Sequence, residues 1–151
     1  MHDLLADASD PLGVLVGVQL QDVTDIDFDS SLNELGRLTK TLGVKVWAQI
    51  GQKRSNFDAA TYLGAGKVEE LRVLIEESLE ANPSRDHLVL VDHEISPSQA
   101  RQLGQAVNAT VLDRTAVILE IFHRHARSRA AKAQVEIARL AYMAPRMREL
   151  R

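Results

Sequence analysis

Residues 88–115 read LVLVDHEISPSQARQLGQAVNATVLDRT and contain a strand, a helix and a second strand in close succession. The continuous apolar run Leu88–Val91 predicts a strand that is buried on both faces, as in parallel sheets. Ser96 is placed to cap the helix that follows, and Gln99 is placed to complete a capping box with it. The apolar run 110–112 predicts the next strand. This stretch therefore indicates a β-α-β unit with parallel strands.

The same alternation extends toward the N-terminus. Short β-branched runs at 13–18 and 44–50 predict two further strands, each bounded by turn-forming residues. Between them, Ser31 predicts the N-cap of an amphipathic helix that ends before Gly43. The acidic stretch 22–29 is expected to be a loop.

An irregular segment at 51–65 precedes another amphipathic helix, which is predicted from about Val68 onward. The fold class is therefore α/β, with a four-stranded parallel sheet covered by helices on both faces. Ligands in such folds gather at the carboxyl ends of the strands. Here those ends are expected to bring 49–54, 92–94 and 113–115 to one edge.

The last part of the chain departs from this alternation. A helix is expected over 115–126, and Ser128 is placed to cap a new helix after a bend. We therefore divide the chain into an α/β domain, 1–114, and a C-terminal helical arm, 115–151. The second helix carries an apolar stripe that predicts packing against another helix. That helix is supplied either by the body or by a second copy of the chain in a homodimer. The stripe consists of Ala130, Ala133, Ile137, Leu140 and Ala144.

Charge separates these two parts. From Arg114 onward there are nine lysines and arginines against three acids, whereas the preceding residues carry nine bases and eighteen acids. The overall charge of −3 therefore conceals an acidic body and a basic arm. A basic helical arm favours a polyanionic or acidic partner.

Composition excludes several classes of protein. The chain has no cysteine, which excludes disulfides and thiolate metal sites and is typical of a reducing cytoplasmic protein. No apolar run approaches the roughly 18 residues of a membrane span. We expect no membrane association.

Four motifs together resemble one known family. Residues 62–71, YLGAGKVEEL, are similar to the glycine-lysine segment of the HflX family of ribosome-associated GTPases. The segments 92–99, DHEISPSQ, and 111–115, VLDRT, resemble the next two signatures of that family. ILEIF at 118–122 continues the match, and the resemblance extends over 12–151.

The resemblance covers only the N-terminal domain of that family. Family members continue into a second helix, which pairs with the first as a hairpin, and then into a domain that binds GTP and magnesium. A phosphate-binding G-x-x-x-x-G-K-[ST] motif is absent here: Thr61 stands where its first glycine belongs, and Val68 where its serine or threonine belongs. We therefore expect these residues to be non-enzymatic and to hold no cofactor of their own, with the GTPase domain as a partner.

The resemblance also implies a ribosomal partner, namely the large subunit and its RNA. A cluster of cations near the expected bend has no acid between His123 and Gln134 and is suited to RNA phosphates. The candidate RNA-binding residues are Lys53, Arg54, Lys67, Arg114, Arg124, Arg127, Arg129 and Lys132.

A nucleotide site is the alternative. Gly64, Gly66 and Lys67 open a helix whose backbone N–H groups are suited to a phosphate. The family resemblance implies ATP as the nucleotide. The glycines equally allow a tight turn into the helix. Asp92-His93-Glu94 is interpreted as turn chemistry and helix capping, and Asp113 as a helix cap. No catalytic or metal-binding constellation is evident in the sequence.

Overall fold

Strands and helices alternate in the order that the hydrophobic pattern predicts. The computed structural model describes residues 10–147. Its elements are β1 (Leu12–Gln19), α1 (Asp25–Thr41), β2 (Lys45–Lys53), α2 (Ala65–Ala81), β3 (His87–Val91), α3 (Pro97–Val107), β4 (Thr110–Asp113), α4 (Arg114–His125), α5 (Arg129–Met143) and a 3-10 turn (Ala144–Arg146). All strand pairs are parallel in the order β2-β1-β3-β4, which confirms the predicted four-stranded parallel sheet.

Helices cover both faces of this sheet, as predicted. On one face α2 and α3 pack against the strands through side chains such as Leu71 and Leu103, which are fully buried. On the other face α1 and α4 do so through Leu35 and Val117. All eight residues of β1 are buried, because this strand lies inside the sheet and is covered on both faces.

Helix α1 begins earlier than the sequence predicts. Thr24 is its N-cap, and the Thr24 hydroxyl accepts a hydrogen bond from the Asp27 backbone N–H at 3.1 Å. The prediction of a loop over 22–29 with the helix capped by Ser31 is therefore wrong. Carboxylates are favourable in the first turn of a helix, so the acidic run that resembled a solvated loop instead starts the helix.

The end of α1 agrees with the sequence. Gly43 follows the C-cap residue Leu42 and has a φ of 83°, a left-handed conformation in which glycine is preferred. The guanidinium of Arg124, on α4, donates to the Leu42 carbonyl and thereby occupies one of the free carbonyls at this helix terminus.

Helices α4 and α5 pack against each other as a polar antiparallel pair. The backbone bends between them, and Ser128 caps α5 by accepting from the Ala131 N–H at 3.0 Å, as predicted. Arg139 of α5 pairs with Glu120 of α4 and, at 3.0 Å, with Glu136. His123 also contacts Glu136. The contacts of Arg139 with Glu120 and of His123 with Glu136 therefore join the two helices, and the apolar stripe of α5 lies on its other side.

Candidate nucleic-acid interface and the carboxyl edge of the sheet

Parallel strands bring the three predicted segments to one edge of the sheet. The Arg54 N–H donates to the Gln19 carbonyl at 3.0 Å, joining the ends of β2 and β1. Thr115 donates to Glu94 at 2.7 Å and joins the segments that follow β4 and β3. The motifs that carry the family resemblance therefore meet here, at what we call the carboxyl edge.

Arg114 clamps this edge to helix α1. Its guanidinium lies 3.0 Å from Asp92, also pairs with Glu34, and donates to the Ser31 carbonyl at 3.1 Å. The Arg114 hydrogen bond lowers the pKa of Glu34 below its ordinary value. Because two carboxylates and a carbonyl occupy this guanidinium, Arg114 is less available to RNA than its position in the sequence indicated.

Tyr62 links three segments from a fully buried position. Its phenol oxygen accepts from the Val18 N–H at 2.8 Å and shares a hydrogen bond with His93 Nδ1, 2.6 Å away. The Phe57 ring lies against both, with ring centroids 5.1 Å and 4.7 Å apart. Burial lowers the pKa of His93 and raises that of Tyr62. Tyr62 has a φ of 66°, so the packing holds it in an unfavourable backbone conformation.

Asp92, His93 and Glu94 point to three different partners. They contact Arg114, Tyr62 and Thr115 respectively. They do not cap helix α3, so that part of the sequence interpretation is wrong. Ser96 and Gln99 form the complete capping box by themselves.

Asp113 caps α4 as predicted and also holds the end of α5. Its Oδ1 accepts from the Ala116 N–H at 3.0 Å. Its Oδ2 accepts from the Ile95 N–H at 3.0 Å and from the Tyr142 hydroxyl at 2.6 Å. The side chain is fully buried, and Arg146 lies 3.9 Å away. This buried carboxylate therefore connects β4, the loop after β3 and helix α5.

The glycine-lysine loop is partly occupied by neighbouring side chains. The Gly64 N–H donates to Gln52 Oε1 at 2.9 Å, and the Lys67 amine pairs with Glu70 at 3.0 Å. A Cβ atom at Gly64 would overlap the ends of the Arg54 and Gln52 side chains, so any larger residue there would require these two side chains to move. Gly66 has open space around it. Helix α2 has no side-chain N-cap, which leaves its first N–H groups suited to an anion.

Lys53 and Arg54 line a surface cavity of about 530 Å³ between the ends of β1 and β2. Lys53 lies 3.6 Å from Asp25, and both side chains are exposed. Arg54 donates to the Asn56 carbonyl at 3.0 Å. These two predicted RNA-binding cations therefore lie together on the carboxyl edge.

Arg127, Arg129 and Lys132 project at the bend between α4 and α5. All three side chains are exposed, and within residues 10–147 none of them is paired with a carboxylate. We call these three residues the cationic tip. Arg124, predicted with them, is also exposed but donates to the Leu42 carbonyl.

Two further cations of the arm contact other side chains within the fold. Arg139 pairs with two glutamates, and Arg146 stacks on Tyr142 with its guanidinium carbon 3.6 Å from the ring centroid. Arg148 and Arg151, which contribute to the basic charge of the arm, lie outside the described residues. The exposed positive charge of the described arm is therefore concentrated at the tip.

The apolar stripe predicted on α5 faces away from α4. Ile137 is 69% exposed and Leu140 is 51% exposed. Ala130, Ala133 and Ala144 are exposed as well. We call these five residues the seam. Of the arrangements that the sequence left open, packing of the seam against the body is therefore excluded.

Residues 10–147 contain neither a candidate metal site nor a candidate membrane-spanning helix. This region contains no group of three or more histidine, cysteine or acidic side chains that could hold a metal ion. None of its helices is both long enough and apolar enough to cross a membrane.

The sequence did not identify several of the residues that organise this surface. Glu120 is an acid on the buried face of α4 with Ala116 and Val117, and its partner Arg139 appeared to be part of the basic excess. Tyr62 and Tyr142 are the only tyrosines of the sequence, and the hydroxyls of both make hydrogen bonds within the fold. Their rarity was the available signal, because a tyrosine in an aliphatic core needs a partner for its hydroxyl.

Comparison with known proteins agrees with the motif resemblance. Residues 29–123 match the family model described as "GTP-binding GTPase N-terminal". A protein named GTPase HflX from Gluconacetobacter diazotrophicus is 47% identical over 169 aligned residues, covering 92% of this chain and 38% of the relative. GTPase HflX of Alkalihalophilus pseudofirmus is 44% identical, covering 89% of this chain and 30% of the relative.

A solved structure shares the fold. It is a GTP-binding protein from the archaeon Sulfolobus solfataricus in complex with GDP, with a TM-score of 0.63 and 21% identity. The match covers 90% of this chain and 38% of that protein. The chain thus spans about a third of the length of these relatives. It belongs to the GTP-binding GTPase N-terminal family and corresponds to the N-terminal domain of the HflX proteins.

Proposed function

We propose that this domain binds RNA of the large ribosomal subunit, in the cytoplasm, and that the cationic tip makes the central contact. The observation that supports this proposal is the exposure of Arg127, Arg129 and Lys132 without a carboxylate partner in the described chain. RNA phosphates relieve the mutual repulsion of these cations, and binding releases counterions. Lys53, Arg54 and Lys67 are candidate secondary contacts on the carboxyl edge.

Sedimentation with large ribosomal subunits at several salt concentrations tests this proposal. Replacing Arg127, Arg129 and Lys132 with glutamine is expected to weaken binding and to reduce the salt dependence by about two to three phosphate contacts. The matched control replaces three exposed cations on the body, Arg37, Lys40 and Lys45, with glutamine. Equal losses from both triple variants would show that only overall charge matters and would contradict a specific tip.

For the longer relatives we propose a second role for the arm. The seam packs against a following helix and so connects this domain to a GTP-binding domain. The exposure of Ile137 and Leu140 supports this role, since adjoining apolar residues on a helix are normally covered. In this proposal the N-terminal domain binds the ribosome, and GTP is hydrolysed by the GTP-binding domain of the longer relatives.

A chimera tests this second role. Residues 1–151 joined to the remaining segment of the Gluconacetobacter relative are expected to form a protease-resistant unit with GTPase activity. Replacing Ile137 and Leu140 with lysine is expected to expose the junction to protease. Unchanged resistance in that variant would contradict a role for the seam.

ATP binding at Gly64–Lys67 is the second candidate function. The absence of a side-chain cap on α2, with the Arg54 guanidinium beside Gly64, favours an anion there. Calorimetry with ATP tests this candidate. Binding that is lost with Lys67→Ala but retained when the cationic tip is replaced with glutamine would favour a nucleotide site at this loop. No heat of binding would remove this candidate and leave the RNA proposal untouched.

A further inference from the structure

Residues 54–64, which we call the latch segment, form a small closed loop between β2 and α2. Asp58 and Tyr62 pair through two backbone hydrogen bonds of 3.0 Å. The Asp58 carboxylate accepts from two backbone N–H groups of the same segment, at 2.9 Å each. The Tyr62 side chain is fully buried in the core. The loop is therefore folded on itself, and Tyr62 attaches it to the sheet.

The hydroxyl of Tyr62 makes two hydrogen bonds at the carboxyl edge. Its oxygen accepts from the Val18 N–H, so the hydroxyl proton requires an acceptor elsewhere. His93 Nδ1, 2.6 Å away, is that acceptor when the imidazole is neutral and carries its proton on Nε2. In this state the Val18 N–H and the Tyr62 hydroxyl both have a hydrogen-bond acceptor.

A proton added to His93 removes this arrangement. The imidazolium carries N–H donors on both ring nitrogens, so Nδ1 can no longer accept. Two donors then converge on the Tyr62 oxygen, and the hydroxyl proton is left without an acceptor inside the core. A buried donor without an acceptor is costly, so protonation favours separation of the two side chains.

Two further features favour opening of the segment once this pair separates. Tyr62 has a φ of 66°, a conformation that a residue with a side chain keeps only when its surroundings enforce it. The Phe57 ring belongs to the same segment, and its centroid lies 4.7 Å from that of the His93 ring. Movement of the segment therefore relaxes the Tyr62 backbone and exposes His93 to solvent.

Several elements bring charged groups to this region. These groups are Asp92 and Glu94 beside His93 in the chain, Arg114 of α4, Glu34 of α1, which pairs with Arg114, and Arg54 and Asp58 of the latch segment. Burial lowers the pKa of His93, Asp92 opposes this shift and Arg114 adds to it. Backbone N–H groups, first that of Thr61, hold the pKa of Asp58 below its ordinary value. Asp58 therefore stays ionised in the pH range in which His93 gains its proton.

We propose that Tyr62 and His93 form an acid-sensitive latch, in which protonation of His93 releases the latch segment from the carboxyl edge. The segment ends at Gly64, the N-cap of α2, so its release also frees the start of the glycine-lysine loop. In the open state His93 regains its ordinary pKa of 6.5. The open population therefore rises as the pH falls below 6.5, by up to about tenfold per pH unit.

Hydrogen exchange of the whole 151-residue chain, followed by nuclear magnetic resonance at neutral pH and below pH 6.5, tests the latch. Protection factors correct for the intrinsic pH dependence of exchange. Those of the Asp58 and Tyr62 amides are expected to fall on acidification. They are also expected to stay below that of the Val89 amide in β3, since a core strand exchanges only on global unfolding.

Two variants separate the latch from a general effect of acid. Tyr62→Phe keeps the ring and is expected to raise the pKa of His93 toward 6.5, because protonation no longer leaves a hydroxyl without an acceptor. The matched control Tyr142→Phe removes the other tyrosine hydroxyl and is expected to leave that pKa unchanged. His93→Asn keeps an acceptor but does not titrate, so protection of the latch segment is expected to become independent of pH in this range.

An unchanged His93 pKa in Tyr62→Phe would overturn the latch, and so would pH-dependent protection that persists in His93→Asn. Equal protection of the latch segment and of Val89 at every pH would show that acid unfolds the whole domain and does not open this segment alone. None of these measurements involves the ribosome, RNA or a nucleotide. A failure of the latch is therefore distinct from a failure of the cationic tip.

Discussion

The Tyr142 hydroxyl donates to the buried Asp113 carboxylate at 2.6 Å, and this contact fixes the end of α5 to the carboxyl end of β4. No residue of α5 is fully buried, so this hydrogen bond and the ion pair between Arg139 and Glu120 contribute strongly to positioning the helix. The orientation of the cationic tip therefore depends on a contact that lies at the far end of the same helix.

Tyr142→Phe is expected to destabilise the domain by about 1–3 kcal/mol, because it removes a hydrogen bond to a charged acceptor. Asp113 keeps the N–H donors of Ile95 and Ala116, so the fold should persist. Hydrogen exchange is expected to accelerate most in α5. Acceleration spread equally over the sheet would show that the contact does not act locally.

Stability is expected to fall as the pH decreases below 6.5. The ordinary histidine pKa is 6.5, and burial lowers that of His93 in the folded chain. The unfolded chain therefore binds more protons in this range, and acidification favours unfolding. Urea denaturation is expected to show a weaker pH dependence for His93→Asn than for the parent chain, and an equal dependence in both would contradict a role for His93.

Two glycines are expected to respond in opposite ways to alanine. Gly43→Ala places a side chain at a φ of 83° and is expected to cost about 1 kcal/mol. Gly66→Ala enters open space in the first turn of α2 and is expected to stabilise by about 0.5–1 kcal/mol. Thermal unfolding of both variants measures these two changes in stability. Destabilisation by Gly66→Ala would imply an unrecognised constraint on the glycine-lysine loop.

The seam is expected to cause weak self-association of the 151-residue chain at high concentration, since apolar helix surfaces associate in water. Lysine at both Ile137 and Leu140 is expected to return the chain to a monomer in analytical ultracentrifugation. The control Ile26→Lys removes an isolated apolar side chain that is 81% exposed on α1. A control that is as effective as the seam variant would contradict association through α5.

The sequence by itself determined the sheet, because runs such as Leu88–Val91 and caps such as Ser96 are local signals that the tertiary fold did not override. It also determined the family, since four motifs in order resemble it and residues 29–123 match its model. It missed the start of α1, where acids that favour solvent also favour a helix N-terminus.

Only the tertiary structure decided which charges are free. Arg114, Arg139 and Arg127 are equivalent in a charge count, yet the first two are held by carboxylates contributed by other helices. Those pairings join residues far apart in the sequence, and their geometry depends on how the helices pack. Local patterns therefore predict the elements of this domain, while the long-range packing selects which residues face a partner.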